Sequence, residues 1–219
     1  KFLSSLITFG LYGVLAIVII GILGIPASSF IAVLSAAGLT IGLAFQGSLS
    51  NFAGGVLILL FKPFKIGDFV KEDVHGNEGL VEGIDLFYTR MRTLDNKMVI
   101  IPNGSLANTS IINYTANNKR RIEIKVGISY DSDMKRAKDI LMNVINSQDG
   151  ILKNEDNMVY VDALEESQIT IGTMAWVMTD DYWKIKWELT EKFKNALDDA
   201  GIEIPFNQLS VTINEKQRK

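Results

Sequence analysis

Between Lys1 and Lys62 the chain carries no Asp, Glu, Lys, Arg or His, and this uncharged run, Phe2 to Phe61, constrains the fold more than any other feature. A helix crossing the ~30 Å hydrocarbon core of a bilayer needs only about 20 apolar residues, so the run is long enough for two passes. Every other charged residue lies at or after Lys62. A membrane hairpin is therefore expected to lead into a water-facing body, and the mean hydropathy of +0.18 averages over the two.

The first pass is expected over residues 2–25, stopped by Pro26, with Ser28 or Ser29 as a cap for the next helix. So short a connection makes the two helices antiparallel neighbours. Lys1 flanks the pair on one side and Lys62, Lys65 and Lys71 lie beyond the second helix, whereas the linking turn has no Lys or Arg. The positive-inside rule then puts both outer ends, and the body, in the cytoplasm. The chain begins directly inside an apolar helix, so an upstream helix is expected.

The second stretch, Ser29 to Phe61, would be ~50 Å long as a straight helix, more than a bilayer core requires. Ala32, Ala36, Gly38 and Gly42 are small enough to let neighbouring helix backbones approach closely. Leu39 and Leu43, four residues apart, project from one face. If several copies surround an axis with this face inward, the leucines form two stacked apolar rings; spacing alone favours leucines that simply face lipid. Gly47-Ser48 is a kink signal, serving either a fixed bend or a moving hinge. Beyond it, Gln46, Gly47, Ser50, Asn51 and Gly54 gather on one side and Leu49, Phe52, Val56, Leu57 and Leu60 on the other, as in a helix lying along the membrane interface. Gln46 and Asn51, polar within an apolar run, are expected to meet protein or water, in either a structural or a state-dependent contact. Pro63 ends the stretch, and Lys62 and Lys65 are placed to meet lipid headgroups.

After Lys65 the hydrophobic period shortens. Phe69-Val70, Leu80-Val81, Met91-Arg92-Thr93 and Met98 to Ile101 are β-rich, separated by His75-Gly76-Asn77, Asp95-Asn96-Lys97 and Pro102-Asn103-Gly104, which read as turns of a small sheet or barrel. Residues 120–205 then alternate: a strand near Arg121 to Ile128, a helix that Asp131, Ser132 or Asp133 could cap, strands near Met158 to Leu164 and Ile169 to Met178, and a helix from about Trp183 to Gly201. That β-α-β-β-α order resembles a ferredoxin-like layer. A last β-rich piece, Ser210 to Asn214, could pair within the chain or between copies.

Several chemistries find no support. The net charge of −3 and the lack of a basic stripe argue against nucleic acid. There is no Cys, which removes disulfides and thiolate metal sites. His75, the only His, sits in a Gly/Asn turn without a second ligand nearby, so no metal is expected. Asp131 and Asp133 precede a helix and suit capping better than acid/base work. Gly38, Gly42 and Gly47 do not form a phosphate-binding fingerprint, and no nucleophile-base set is visible. Neither enzyme nor cofactor is expected.

Taken in order, Ala36-Ala37-Gly38-Leu39 through Gly47-Ser48-Leu49-Ser50-Asn51, Lys62-Pro63-Phe64-Lys65-Ile66-Gly67-Asp68, Gly79-Leu80-Val81, Arg90-Met91-Arg92-Thr93, Ile101-Pro102-Asn103-Gly104 and Tyr130-Asp131-Ser132-Asp133 resemble the bacterial small-conductance mechanosensitive channel (MscS) family over essentially the whole chain. The resemblance implies a homoheptamer opened by membrane tension in the bacterial inner membrane, passing ions and small osmolytes. It implies residues 1–27 as the second transmembrane helix, 28–61 as the kinked pore-lining helix with its interfacial half, 62–115 as a small Sm-like β domain, 116–206 as a ferredoxin-like α/β domain, and 207–219 as the strand and tail of an oligomeric β-barrel. Leu39 and Leu43 match the constriction rings, Ala36, Gly38 and Gly42 the packing face, and Gly47 and Gly55 the bending points. Thr40 and Phe45 are bulkier than the family pattern. A membrane-tethered scaffold or sensor is the rival, although a tether needs neither the small-residue face nor the half-helix after it.

Overall fold

A computed structural model describes residues 1–24 and 28–209, and all side chains within them except those of Phe2, Leu3, Leu6 and Ser29. The uncharged run forms two helices, α1 (Phe2–Ile22) and α2 (Ser28–Phe61). α1 stops short of the expected position because Gly24 takes a left-handed φ of +72°, and the Leu23 N–H bonds back to Ile19 at 3.1 Å. Pro26 and the turn around it lie outside the described residues. Phe30–Phe61 is long and apolar enough to cross a membrane, and Ile7–Ile22 is a shorter apolar helix.

α2 is a single helix, and the bend expected at Gly47-Ser48 does not interrupt it. It ends at Lys62, whose φ of +49° breaks the helical path while its N–H still bonds to the Ile58 carbonyl at 2.8 Å. Pro63 follows and has no N–H to continue the ladder.

The chain divides into two units, Lys1–Asn113 and Tyr114–Lys219. In the first, β1 (Phe69–Glu72), β2 (Glu78–Ile84), β3 (Tyr88–Arg92), β4 (Met98–Pro102) and β5 (Ile111–Asn113) make an antiparallel sheet in the order β4-β3-β2-β1-β5. A bulge between Val81 and Gly83 lets β2 curl. Alternation sends Val70, Val81 and Met91 inward, where they pack with Phe64, Leu106 and Ile58 of α2. Pro102-Asn103-Gly104 is not the turn the sequence suggested: Asn103–Ala107 is a short helix, α3. Its entry is buried, so the Pro-Asn-Gly signal marks a helix start rather than a reversal into solvent.

The β1–β2 turn is held by a buried carboxylate. Glu72 accepts the N–H groups of Val74 at 2.9 Å and His75 at 3.0 Å, and Asn77 Nδ2 at 2.8 Å. Burial alone would raise its pKa, but these bonds, with that from the Asn77 N–H, outweigh it and hold the carboxyl below the usual glutamate range. The His75 ring is largely solvated, as its turn position implied.

In the second unit, β6 (Lys119–Ile128), β7 (Met158–Leu164) and β8 (Ile169–Met178) form an antiparallel sheet in the order β6-β8-β7. α4 (Met134–Ser147) and α5 (Tyr182–Asp199) close over it, α4 through Ala137, Leu141 and Ile145, α5 through Ile185, Leu189, Phe193 and Leu197, each series at helical spacing. Of the three candidate caps, Asp133 takes the role, accepting the Lys135 and Arg136 N–H groups at 3.0 Å each. α5 ends at Gly201, φ +68°, with the Ile202 N–H bonded to the Leu197 carbonyl at 2.9 Å. The strand expected at Ser210 to Asn214 lies outside the described residues.

Candidate pore helix and its anchorage

α2 combines an exposed membrane stretch with an end clasped by the β sheet. Because the helix is unbroken, residues seven apart fall on nearly the same face. Ala32, Leu39 and Gln46 make one such row, and Ala36, Leu43 and Ser50 another beside it. Leu39 and Leu43 are 66% and 62% exposed, so no described residue covers this stripe. Toward the C-terminal end the stripe changes from aliphatic to polar, at Gln46 and Ser50. Phe30, Leu34, Ile41, Phe45 and Phe52 lie on the opposite side.

Small residues border the leucine stripe on both sides: Gly38 and Gly42 on one, Ala36 and Thr40 on the other. All are exposed, and a Cβ added at Gly38, Gly42 or Gly47 would meet nothing within 4 Å. Thr40 donates its hydroxyl to the Ala36 carbonyl at 2.9 Å, which gives its polar group a partner within the helix but leaves its extra bulk.

The clasp begins one turn after Gly47. Asn51 Oδ1 accepts the backbone N–H of Gly104, the second residue of α3, at 3.0 Å. Gly54 and Gly55 then face backbone directly: a Cβ on Gly54 would stand 2.5 Å from the Asn103 carbonyl oxygen, and one on Gly55 would run into the Leu86 carbonyl oxygen. At Gly55, expected as a bending point, the structure shows a close approach to backbone that leaves no room for a side chain. Phe52 packs against Phe87, ring centroids 6.2 Å apart, and Ile58 is 2% exposed in the sheet's core.

Asn103 locks the other side of the clasp. It is fully buried, donates from Nδ2 to the Asp85 carbonyl at 2.8 Å, and accepts at Oδ1 from the Thr89 hydroxyl at 2.8 Å. Buried side-chain polar atoms without a partner are absent among the described residues. Sequence reasoning singled out Asn51 but missed Gly54, Asn103, Gly104 and Thr89 as parts of the joint. A signal was present in Asn103-Gly104, but its partners lie far away in sequence. Gln46 stays exposed, and Lys62 and Lys65 flank the end of α2, where the Lys65 backbone N–H bonds Asp68 Oδ2 at 2.9 Å. Among the described residues there is no His/Asp/Glu cluster able to hold a metal.

The family described as mechanosensitive ion channel, beta-domain, matches residues 47–116, and that described as mechanosensitive ion channel MscS, C-terminal, matches residues 122–204. An uncharacterised MscS-family protein of Buchnera aphidicola is 41% identical over 99% of this chain and 76% of its own length. The small-conductance mechanosensitive channel of Edwardsiella ictaluri is 42% identical over 80% of this chain and 61% of its own. Helicobacter pylori MscS, solved in a closed state, superposes with a TM-score of 0.83 at 34% identity, over 91% of this chain and 79% of that one.

Proposed function

This chain belongs to the MscS family of mechanosensitive ion channels, and on that premise we propose that it is a channel opened by membrane tension, with α2 lining a pore shared by several copies. The family is one of membrane-embedded ion channels rather than enzymes. The observation that carries the fuller reading is the make-up of α2: one exposed face bears Leu39 and Leu43, small residues border it, and the helix end is clasped by a sheet.

With that face inward, Leu39 and Leu43 encircle the axis in two bands. A constriction that offers water no hydrogen-bond partner empties, and ions do not enter it stripped of their hydration. Gln46 and Ser50 continue the face on the cytoplasmic side, where polar groups suit a wetted path. The Gly38 and Gly42 edge of one copy meets the Ala36 and Thr40 edge of the next, with Ala32 a turn above. Helices packed through small residues slide with little steric resistance. Stretching the bilayer favours the arrangement with the larger in-plane area, so tension acts as the ligand and area as the difference between states.

Gly47 lies between the exposed part of α2 and its clasped end and is the hinge in this account. The Asn51 to Gly104 bond is the contact that differs between states, with Gln46 beside it, and Lys62 and Lys65 hold headgroups. Residues 1–27 are a companion transmembrane helix and 28–61 the pore helix with its interfacial half. Residues 62–115 form an Sm-like β domain, 116–206 a ferredoxin-like α/β domain, and 207–219 one strand of a barrel built by seven copies. Ions and small osmolytes pass through this assembly in a bacterial inner membrane, with the body in the cytoplasm.

The test is a patch recording from purified protein in liposomes under graded suction. Stepwise currents above a threshold support the channel. Silence up to membrane rupture would make the hairpin a tether, and slow saturable flux would make the protein a carrier.

A further inference from the structure

Asn103-Gly104 is the only Asn-Gly pair in the sequence. Such a pair is prone to deamidation, because glycine has no side chain to hinder its own backbone nitrogen and the freedom to bring that nitrogen onto the asparagine carboxamide. The structure ties down both reacting groups. The nucleophile, the Gly104 nitrogen, donates its N–H to Asn51 Oδ1 of α2 at 3.0 Å, and the Gly104 carbonyl accepts from Asn108 Nδ2 at 2.6 Å. The electrophile, the Asn103 carboxamide, is held through Nδ2 on the Asp85 carbonyl and through Oδ1 on the Thr89 hydroxyl, each at 2.8 Å, while the Asn103 N–H bonds the Phe87 carbonyl at 2.9 Å. The bare backbone of α2 lies over both. A Cβ on Gly54 would stand 2.8 Å from the Gly104 nitrogen, and one on Gly55 would stand 2.7 Å from Asn103 Nδ2. Asn103 is 0% exposed, so the water that the reaction consumes is kept out as well.

We propose that Asn103 is a deamidation site guarded by the end of α2, inert while the Asn51 to Gly104 bond holds and reactive once that bond is released. The freed Gly104 nitrogen gives its proton to water and attacks Asn103 Cγ. The N–Cγ bond forms, the Cγ–Nδ2 bond breaks, and Nδ2 leaves as ammonia, taking up a proton. Water then opens the cyclic imide, at Cγ to give aspartate or at the main-chain carbonyl to give isoaspartate. Water is the only co-reactant, and one amide becomes one carboxylate. Neither product restores the joint. Aspartate sets an anionic oxygen against the Asp85 carbonyl where Nδ2 had donated, and a buried charge without a partner is unfavourable. Isoaspartate lengthens the main chain by a methylene ahead of Gly104 and carries its N–H away from Asn51. The link from this chemistry to channel opening rests on the reading of the Asn51 to Gly104 bond as the contact that differs between states. On that reading the modification accumulates with use, and each modified subunit keeps its joint loosened.

The test uses the full chain in liposomes held at mildly alkaline pH, with conversion of each asparagine followed by peptide mass spectrometry as the replacement of NH2 by OH. In slack vesicles wild-type Asn103 should stay intact. Asn51→Ala should speed its conversion about fivefold, the shift in a local opening equilibrium on losing one net hydrogen bond. Asn51→Asp, which keeps an acceptor for the Gly104 N–H, should restore protection. Asn146, in an Asn-Ser pair on α4, reports general unfolding and should convert equally slowly in all three proteins. Wild type cycled repeatedly through hypo-osmotic dilution should accumulate the product at Asn103. Equal rates at Asn103 in wild type and Asn51→Ala, or acceleration there matched at Asn146, would overturn the guarded site. Conversion in Asn51→Ala but none in the cycled wild type would overturn the link to opening. Conversion is read without current, so a protein that shows the guarded site yet never conducts under suction overturns the channel reading alone.

Discussion

Serine at position 39 or 43 makes the α2 face wettable there and shortens the side chain. A hydroxyl in each subunit gives water a partner in the constriction, so Leu39→Ser and Leu43→Ser should each lower the suction needed for opening in patch recordings and slow growth on expression. Wild-type thresholds for both would remove these residues from the gate. Gly54 and Gly55 make a different demand. Alanine at either puts a methyl group against a backbone carbonyl, which cannot rotate aside as a side chain can, so each should destabilise the fold by about 1–3 kcal/mol in thermal or denaturant unfolding. Alanine at Gly38 or Gly42 meets open space within one chain. On the proposed reading any loss there comes from contacts between copies, so Gly42→Ala should leave the unfolding of the dispersed subunit unchanged. Glu72 adds a pH dependence. Its carboxyl is held below the usual range, so the stabilisation is full above about pH 4.3 and fades as the pH falls through the folded-state value. Glu72→Gln should flatten that acid limb in a melting-temperature profile; an unchanged limb would assign it to other carboxylates.

Among the elements, α2 and α3 decide how the membrane part is joined to the sheet. Asn103→Ala removes both bonds of the lock at once and leaves the buried Thr89 hydroxyl without its acceptor, so it should cost about 1–3 kcal/mol. Thr89→Val, which removes only one, should cost less. Gly47→Ala stiffens the helix where it passes from its exposed part to its clasped part, and should alter recovery after prolonged tension if that position moves. Unchanged recovery would leave Gly47 as fixed architecture. The elements differ in how far the sequence revealed them. α1 and α2 were legible because sixty residues without charge have few alternatives to membrane helices, and β1 to β4 because alternation and turn residues are local signals. α3 was not, since Pro102-Asn103-Gly104 is locally a turn signal. Its helical fate depends on burial of Asn103 against Asp85 and Thr89 and on Gly104 meeting Asn51, contacts that no neighbouring residue encodes. β5 was lost for the same reason: Ile111–Asn113 is too short for a period to show, and its pairing partner is β1, some forty residues earlier. Gly54 and Gly55 were visible as small residues in a helix, but whether the neighbour was another helix or a carbonyl of the sheet was not.

For the whole molecule, the exposed leucine stripe and the small-residue borders have no partner among the described residues of one chain, and the proposed assembly around an axis gives both a use. The mass of the intact particle in detergent should be seven times the 24.3 kDa of this chain, once bound detergent and lipid are subtracted; a monomer or dimer would leave α2 without a pore to line. The Cys-free chain makes the decisive measurement simple, because a single cysteine introduced for Leu43 is the only thiol in these 219 residues. In a patch from liposomes containing Leu43→Cys protein, a water-soluble, positively charged thiol reagent should leave the closed channel untouched at rest. Under suction that opens the channel, it should react and permanently change the single-channel current, because position 43 lines the rewetted path. Current that never responds to the reagent, in a patch where tension opens the channel normally, would place that residue in lipid and contradict a gate made of leucine rings.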